Sequence, residues 1–356
     1  MRGNETPEIS VIVVNWNRRA LLEECLRSLA AQDTRASFEV IVVDNGSRDG
    51  SLQTIQAFAE TASFPVRLIA NPDNRGFCVA NNQGIEAARG EYVALLNNDA
   101  EAEPGWLSAL REPFDLSPAV GMAASKILVW EDPRLIDKVG HLIYPDGQNR
   151  GRGSGEIDRG QYDRREEILW PDGCACMYRK RMLDEIGPFD PDLFAYGDDA
   201  ELGLRARIAG WRCYYAPQAV VRHHRGATLG VLSPLRLKLI ERNRVLLAVK
   251  HFPWSLLWLN GAYYLLRIAG GMRAAIQGRG EISRFRGWKA KLRAAMAMLQ
   301  GDWEALMMLP RTLRKRRRLK PLRRLSERQI RRLILSHRIS LTELNEQAIP
   351  APTQQL

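Results

Sequence analysis

Short apolar runs alternate with stretches of helical spacing over the first hundred residues, and this alternation restricts the fold more than any other feature of the chain. Residues 9–14 are apolar and β-branched, as a buried strand requires. After them Leu21, Leu22, Cys25, Leu26 and Leu29 recur at helical spacing. Residues 38–43, 66–69 and 91–96 predict three more strands, with helices predicted over 51–60 and 77–88. Strand and helix in regular turn mean an α/β fold with a mostly parallel, doubly wound sheet.

Three of these strands stop abruptly at polar residues: Asn15-Trp16-Asn17, Asp44-Asn45-Gly46-Ser47 and Asn97-Asn98-Asp99. In a parallel sheet those ends lie along one edge and can converge on one crevice. Asp44 can accept a hydrogen bond from a base or ribose there, or cap the turn through Asn45 and Gly46. Asp99 can hold a metal bound to phosphate, or open a helix ahead of Pro104. No GxGxxG follows the first strand and no GxxxxGK[ST] occurs, which disfavours a dinucleotide dehydrogenase and a P-loop ATPase.

Charge divides the 356 residues unevenly. Residues 231–356 carry 26 Lys+Arg against 7 Asp+Glu, whereas residues 1–230 carry 26 against 34. An acidic body followed by a basic tail calls for an anionic partner, membrane surface or nucleic acid. The five cysteines form no CxxC pair and no zinc spacing, so buried reduced thiols are expected. The first residues, MRGNETPE, have no apolar core of a signal peptide.

Residues 106–116 predict a helix and 120–125 a strand. Residues 132–165, rich in Gly, Arg and Asp, read as a long open loop, functional or simply disordered. Beyond Trp170-Pro171-Asp172-Gly173, a strand is expected over 174–178 and a helix over 179–186. Residues 198–209 fit a helix with Asp198, Asp199 and Glu201 in its first turn, Arg205 and Arg207 later, and Gly210 as its stop. Those acids can simply favour the helix start, with Glu201 and Arg205 paired at i,i+4. Alternatively, one adjacent carboxylate is aimed by the helix start to take a proton from a hydroxyl.

The runs VIVVNWN, VVDNGSRDGS, NRGFCVANNQG and YVALLNND, in this order and spacing, resemble glycosyltransferase family 2, and in particular its rhamnosyltransferase-like branch. The resemblance extends over residues 8–250 and implies the GT-A fold: a Rossmann-like, mostly parallel sheet flanked by helices. It implies an inverting transfer of sugar, plausible for rhamnose, from a nucleotide-diphosphate donor to a saccharide or lipid-linked acceptor in cell-surface polysaccharide synthesis. Asp44 would contact the base. Asn15, Asn17, Asn74, Arg75, Asn98 and Gly173 fall among the motifs that would bind the nucleotide sugar. Asp99 would hold a divalent cation, Mg or Mn. The usual Asp-x-Asp reads Asn97-Asn98-Asp99 here, so one ligand oxygen is neutral. The family's Glu-Asp catalytic pair stands as Asp198-Asp199, which makes Asp199 the expected base and Asp198 its alternate. The resemblance implies a histidine separated by two residues from a glycine as the second metal ligand, which selects His223, three positions before Gly226, over His224. No QxxRW motif occurs, so a single addition is expected rather than processive synthesis. On this reading residues 1–103 form the nucleotide-sugar half and 104–230 the acceptor and catalytic half of one domain, with 231–356 a basic helical extension. A UDP-hexose donor and a non-catalytic sugar-nucleotide binder are the alternatives.

Residues 252–268 are strongly apolar, with Trp254, Trp258, Tyr263 and Tyr264. A spanning helix takes ~20 apolar residues, and Pro253 and Arg267 cut this run short. It reads as an interfacial helix on a membrane, or as a helix packed on the body. Residues 288–309 are amphipathic and 311–332 intensely basic. Basic cluster and aromatic run together predict peripheral attachment to the cytoplasmic face of an anionic inner membrane. The aromatics are not interleaved with the basic run, which speaks against nucleic acid. The last six residues, APTQQL, are expected to be disordered.

Overall fold

A computed structural model describes residues 6–225, 233–285 and 287–346, so the expectation for the final APTQQL lies outside the described residues. The first half alternates as the periodicity demands: β1 (Ile9–Asn15), α1 (Arg19–Ala30), β2 (Phe38–Asp44), α2 (Ser51–Thr61), β3 (Val66–Ala70), α3 (Phe77–Ala87) and β4 (Tyr92–Leu96). Then come β5 (Ala100–Ala102), α4 (Trp106–Arg111), β6 (Val120–Val129), β7 (Ile136–Lys138), β8 (His141–Ile143), β9 (Asn149–Gly151), β10 (Glu166–Ile168), β11 (Ala175–Arg179), α5 (Lys180–Ile186), α6 (Asp198–Ile208) and β12 (Arg212–His223). The remainder is helical: α7 (Pro234–His251), α8 (Trp254–Leu257), α9 (Asn260–Ile276), α10 (Gly280–Ser283), α11 (Trp288–Leu319), α12 (Glu327–Ser336) and α13 (Leu341–Glu346).

One sheet runs through the body in the order β10-β12-β6-β11-β4-β1-β2-β3. Strands β3, β2, β1 and β4 are parallel, while β11 lies antiparallel between β4 and β6. Both proposed halves therefore share one sheet. Its two faces are buried by different helices. Leu22, Leu26, Ile55, Trp106 and Leu110 cover one face, from α1, α2 and α4. Ala80, Ile85, Met182, Leu183 and Leu202 cover the other, from α3, α5 and α6. Burial on both faces explains why β1 and β2 are unbroken apolar runs.

Residues 132–165 are not an open loop. They fold into β7, the β8–β9 hairpin and tight turns, with Lys126 Nζ bound to Asp158 and Asp163 at 2.8 and 2.6 Å. Strands of three residues carry too little periodicity to be read as strands, and positive-φ glycines at 140 and 147 supply their turns.

The stretch 252–268 is broken into α8 and α9, with one side packed on the body and the other exposed. Phe252 and Leu256 are buried in a third cluster with Trp170, Leu204 and Ile334. Arg267 reaches inward to Asp146 at 2.6 Å and Glu241 at 2.7 Å. Trp258, Leu265 and Leu266 face outward, Trp258 being 85% exposed. None of the described helices is long and apolar enough to cross a membrane.

Candidate active site

The polar strand ends do meet. Asn15 and Asp44 are in register on β1 and β2, and Asn15 Nδ2 donates to Asp44 Oδ1 at 3.0 Å. Asn98 Nδ2 donates to Asn15 Oδ1 at 2.7 Å, joining the third loop to the first two. The Ser47 amide donates to Asp44 Oδ2 at 2.9 Å, so Asp44 does cap its own turn. It is fully buried, with both oxygens engaged. Asn17, at φ 51°, donates its amide to Ser47 Oγ and accepts from the Arg48 amide. Asn74 Oδ1 accepts from Asn45 Nδ2 and the Gly76 amide, while the half-exposed Arg75 lies 3.6 Å from Asp73. These residues form a hydrogen-bonded lip along the sheet edge.

A cavity of about 500 Å³ opens beside that lip, lined by Asp99, Gly173, Asp198, Asp199 and His223. Asp44, Asn15, Asn17, Asn74 and Arg75 do not line it. The cavity has two chemically distinct ends.

At one end His223, the last residue of β12, faces Asp99 with Nε2 3.5 Å from Oδ1, longer than a hydrogen bond. Asp99 Oδ1 is buried without a hydrogen-bond partner among the described residues. His223 Nδ1 lies 2.8 Å from Asp137 Oδ2, a contact that commits Nδ1–H to the carboxylate and leaves Nε2 to face Asp99. A buried orphan oxygen opposite an oriented imidazole nitrogen fits a divalent cation, with phosphate oxygens and water as its other ligands. Burial opposes charge on His223, yet Cys174, Asp99 and the bond to Asp137 hold the imidazole well above its ordinary range. Burial also works against Asp137, but Lys138 and His223 pull its carboxyl down to about 2.

At the other end Asp199 stands in the first turn of α6, after Gly197 at φ 70°. Its Oδ1 accepts from the Ala200 amide at 2.7 Å, and its Oδ2 from the Gly173 amide at 3.4 Å. His141 Nε2 lies 3.3 Å from the same Oδ2 and 2.8 Å from Asp172 Oδ2. Asp198 is buried beside it, and burial together with the Asp199 charge pushes its carboxyl up to about 8. Glu201 makes the expected pair with Arg205, at 2.8 Å, and also binds Lys250 and His251 from α7. Neither Asp198 nor Asp199 is the side-chain N-cap of the helix.

Four polar residues of this site escaped the sequence reading: Asp137, Lys138, His141 and Asp172. Three lie in the segment taken for a loop. Asp172 sits in Trp170-Pro171-Asp172-Gly173 with no signal of its own, and its partners are 31 and 34 residues away.

Residues 10–187 match the family model of Glycosyl transferase family 2. The chain belongs to that family. A relative in Mycobacterium tuberculosis, N-acetylglucosaminyl-diphospho-decaprenol L-rhamnosyltransferase, is 27% identical over 311 residues, covering 81% of this chain and 98% of the relative. The protein y4gI of Sinorhizobium fredii is 29% identical over 241 residues, or 63% of this chain, which spans only 25% of that larger relative. Among solved structures, the mannosyltransferase PcManGT from Pyrobaculum calidifontis, in complex with GDP-Man and Mn2+, aligns with a TM-score of 0.54 at 18% identity, covering 85% of this chain and 88% of that one. That likeness shows the GT-A fold: a large central sheet flanked by helices, here with a helical C-terminal region. This family 2 chain is a glycosyltransferase.

Proposed function

We propose that this glycosyltransferase is an inverting, metal-dependent, single-addition enzyme. Its donor is a nucleotide-diphosphate sugar, dTDP-rhamnose, and its acceptor a saccharide carried on a lipid. The observation that carries the reading is the single cavity holding Asp99 and His223 at one end and Asp199 at the other. A donor diphosphate at the first end leaves its anomeric carbon facing an acceptor held at the second. Asp99 and His223 would hold a Mg or Mn ion there, and such an ion, when bound, neutralises charge on the departing diphosphate. The acceptor hydroxyl loses its proton to Asp199 as its oxygen bonds to the anomeric carbon, and the pair of the breaking C–O bond leaves with the diphosphate. Asp44, Asn15 and Asn98 keep the lip rigid against the nucleotide, Asn17, Asn74 and Arg75 complete the lip, and Gly173 lines the cavity beside it. The rhamnose and lipid assignments are supported by the likeness to the mycobacterial N-acetylglucosaminyl-diphospho-decaprenol L-rhamnosyltransferase, which aligns over nearly its whole length.

The enzyme works as a peripheral protein on the cytoplasmic face of the inner membrane. The support is an outward apolar surface on α8, the turn after it, α9 and α11, including Trp258, Ile276, Trp288 and Trp303. Exposed apolar surface of this extent marks an interaction site.

Calorimetric titration with dTDP-rhamnose, UDP-glucose, UDP-N-acetylglucosamine and GDP-mannose, with and without Mn2+, tests the reading. Metal-dependent binding and turnover of dTDP-rhamnose alone supports it. A UDP-sugar bound instead replaces the donor, and binding without turnover on any acceptor replaces the enzyme with a sensor.

A further inference from the structure

We propose that His141 is a positioning residue for Asp199, its Nε2–H bridging Asp172 and Asp199 and so fixing the carboxylate that meets the acceptor hydroxyl. The inference rests on the proposed transferase reading, and no motif in the chain points to His141.

His141 is on β8, 6% exposed, in the hairpin that stands against the start of α6. Two carboxylate oxygens converge on its Nε2, at 2.8 and 3.3 Å. Carboxylates accept and do not donate, so that nitrogen carries the hydrogen. Its anchor cannot drift. Asp172 Oδ2 also receives Lys138 Nζ at 2.7 Å, and Asp172 Oδ1 receives the Cys174 amide at 2.9 Å. Trp170 lies stacked along the imidazole at 6.2 Å between centroids, which holds the ring plane. Without His141, Oδ2 of Asp199 keeps only the long 3.4 Å contact from Gly173 among its described donors.

His141, Asp172 and Asp199 have ligand atoms within 4.8 Å of one another, close enough to share a metal ion. The charge balance argues for positioning instead. The Lys138 ammonium already neutralises Asp172, and the 2.8 Å separation of Nε2 from Asp172 is the length of a direct hydrogen bond. Among the described residues, the Asp99–His223 end has no lysine on its carboxylate and an oxygen left over. Burial opposes charge on His141, but Asp199 and Asp172 hold the imidazole up to about 9, so a positive group faces the base at neutral pH. During transfer His141 keeps its hydrogen. The proton from the acceptor hydroxyl goes to Asp199 and later to water, and the electron pair of the cleaved bond goes to the diphosphate.

The test compares wild type, His141→Ala and His141→Gln with dTDP-rhamnose and Mn2+, reading dTDP release, KM and calorimetric donor affinity. Misplacing a reacting group by about 1 Å costs about 10²-fold. His141→Ala is expected to lose about that much in kcat, with KM and donor affinity within about twofold of wild type. His141→Gln, which still offers an N–H at similar reach, should recover about tenfold of the loss. Independently of turnover, the His141 Nε2–H resonance should move in Asp199→Asn. Where the alanine variant fails to fold, His141→Asn against His141→Gln decides, since only Gln reaches. An alanine variant with wild-type kcat, or a Gln variant no better than Ala, overturns the positioning role alone. A wild type that turns over no sugar nucleotide overturns the transferase reading as well.

Discussion

Adjacent carboxylates at the start of α6 are chemically unequal. Asp198 is enclosed and pushed up to about 8, so it is neutral at pH 7, while Asp199 has amide and imidazole donors around it. Paired acids with diverging environments divide acid and base roles between them. Asp199→Asn is therefore expected to lower turnover by about 10²–10⁴-fold, with donor affinity near wild type by calorimetry. Asp198→Asn at pH 7 reproduces the protonation state already present, and turnover should stay within a fewfold of wild type. The two should separate above pH 8, where wild-type Asp198 ionises and the variant cannot. At the other end of the cavity, His223 holds its proton well above the ordinary imidazole range. A metal needs the neutral ring, so binding must expel that proton. Affinity for Mn2+ should weaken as pH falls, by up to about tenfold per unit, with proton release seen in buffers of different ionisation enthalpy. A pH-independent Mn2+ affinity would show that His223 is not a ligand.

At the scale of elements, the helical extension is tied to the body by charges that left the membrane question open in the sequence. Arg267 of α9 bridges Asp146 of the β8–β9 turn and Glu241 of α7, and Arg244 joins Glu241 to Asp302 of α11. Removing one partner of a buried ion pair typically costs about 3–5 kcal/mol. Arg267→Ala takes the nearest cation from Asp146 and one of two from Glu241, which keeps Arg244, and should cost an amount of that order in urea unfolding. A loss below about 1 kcal/mol would mean that water reaches the network. Much of the fold was legible because β1, β2 and β4 are continuous apolar runs and α1 keeps a clean period. Asp99, Asp199 and His223 could be singled out because each follows a strand or opens a helix in a run that resembles a family motif, and the fold brings all three to one cavity. His141, Asp137 and Lys138 were not, since strands of three residues show no period. Their contacts exist only once β7 and β8 lie against residues 172, 199 and 223. The inward role of Arg267 was hidden in the same way, because an arginine ending an apolar run looks like a solvated flank.

For the whole molecule, the question is what meets the outward face of the extension. On α11 the exposed apolar residues Trp288, Leu292, Met296, Leu299, Trp303, Leu306 and Met307 follow one another at steps of three or four, with a single step of one, so they form one stripe along the helix. The basic run beside it is only partly available. Arg311 and Lys315 are held by Asp190 and Asp192, Arg316 by the carbonyls of Val249 and Phe252, and Arg324 by Glu185. Arg314, Arg317, Arg318, Arg328, Arg331 and Arg332 remain exposed. Exposed apolar surface and exposed charge should each leave its own signature in binding to an anionic membrane. Vesicles containing phosphatidylglycerol should co-sediment with the protein, and neutral phosphatidylcholine vesicles should do so less. Arg317→Gln with Arg318→Gln should weaken binding by about 1 kcal/mol per residue, and the loss should vanish in high salt. Trp258→Ser with Trp303→Ser should weaken binding at every salt concentration, because burial of apolar surface is not screened. Binding that is abolished by salt and indifferent to the tryptophans would leave electrostatics alone. If RNA, but no vesicle, retained the protein, the exposed arginines would belong to a nucleic-acid surface and the apolar stripe to a protein partner.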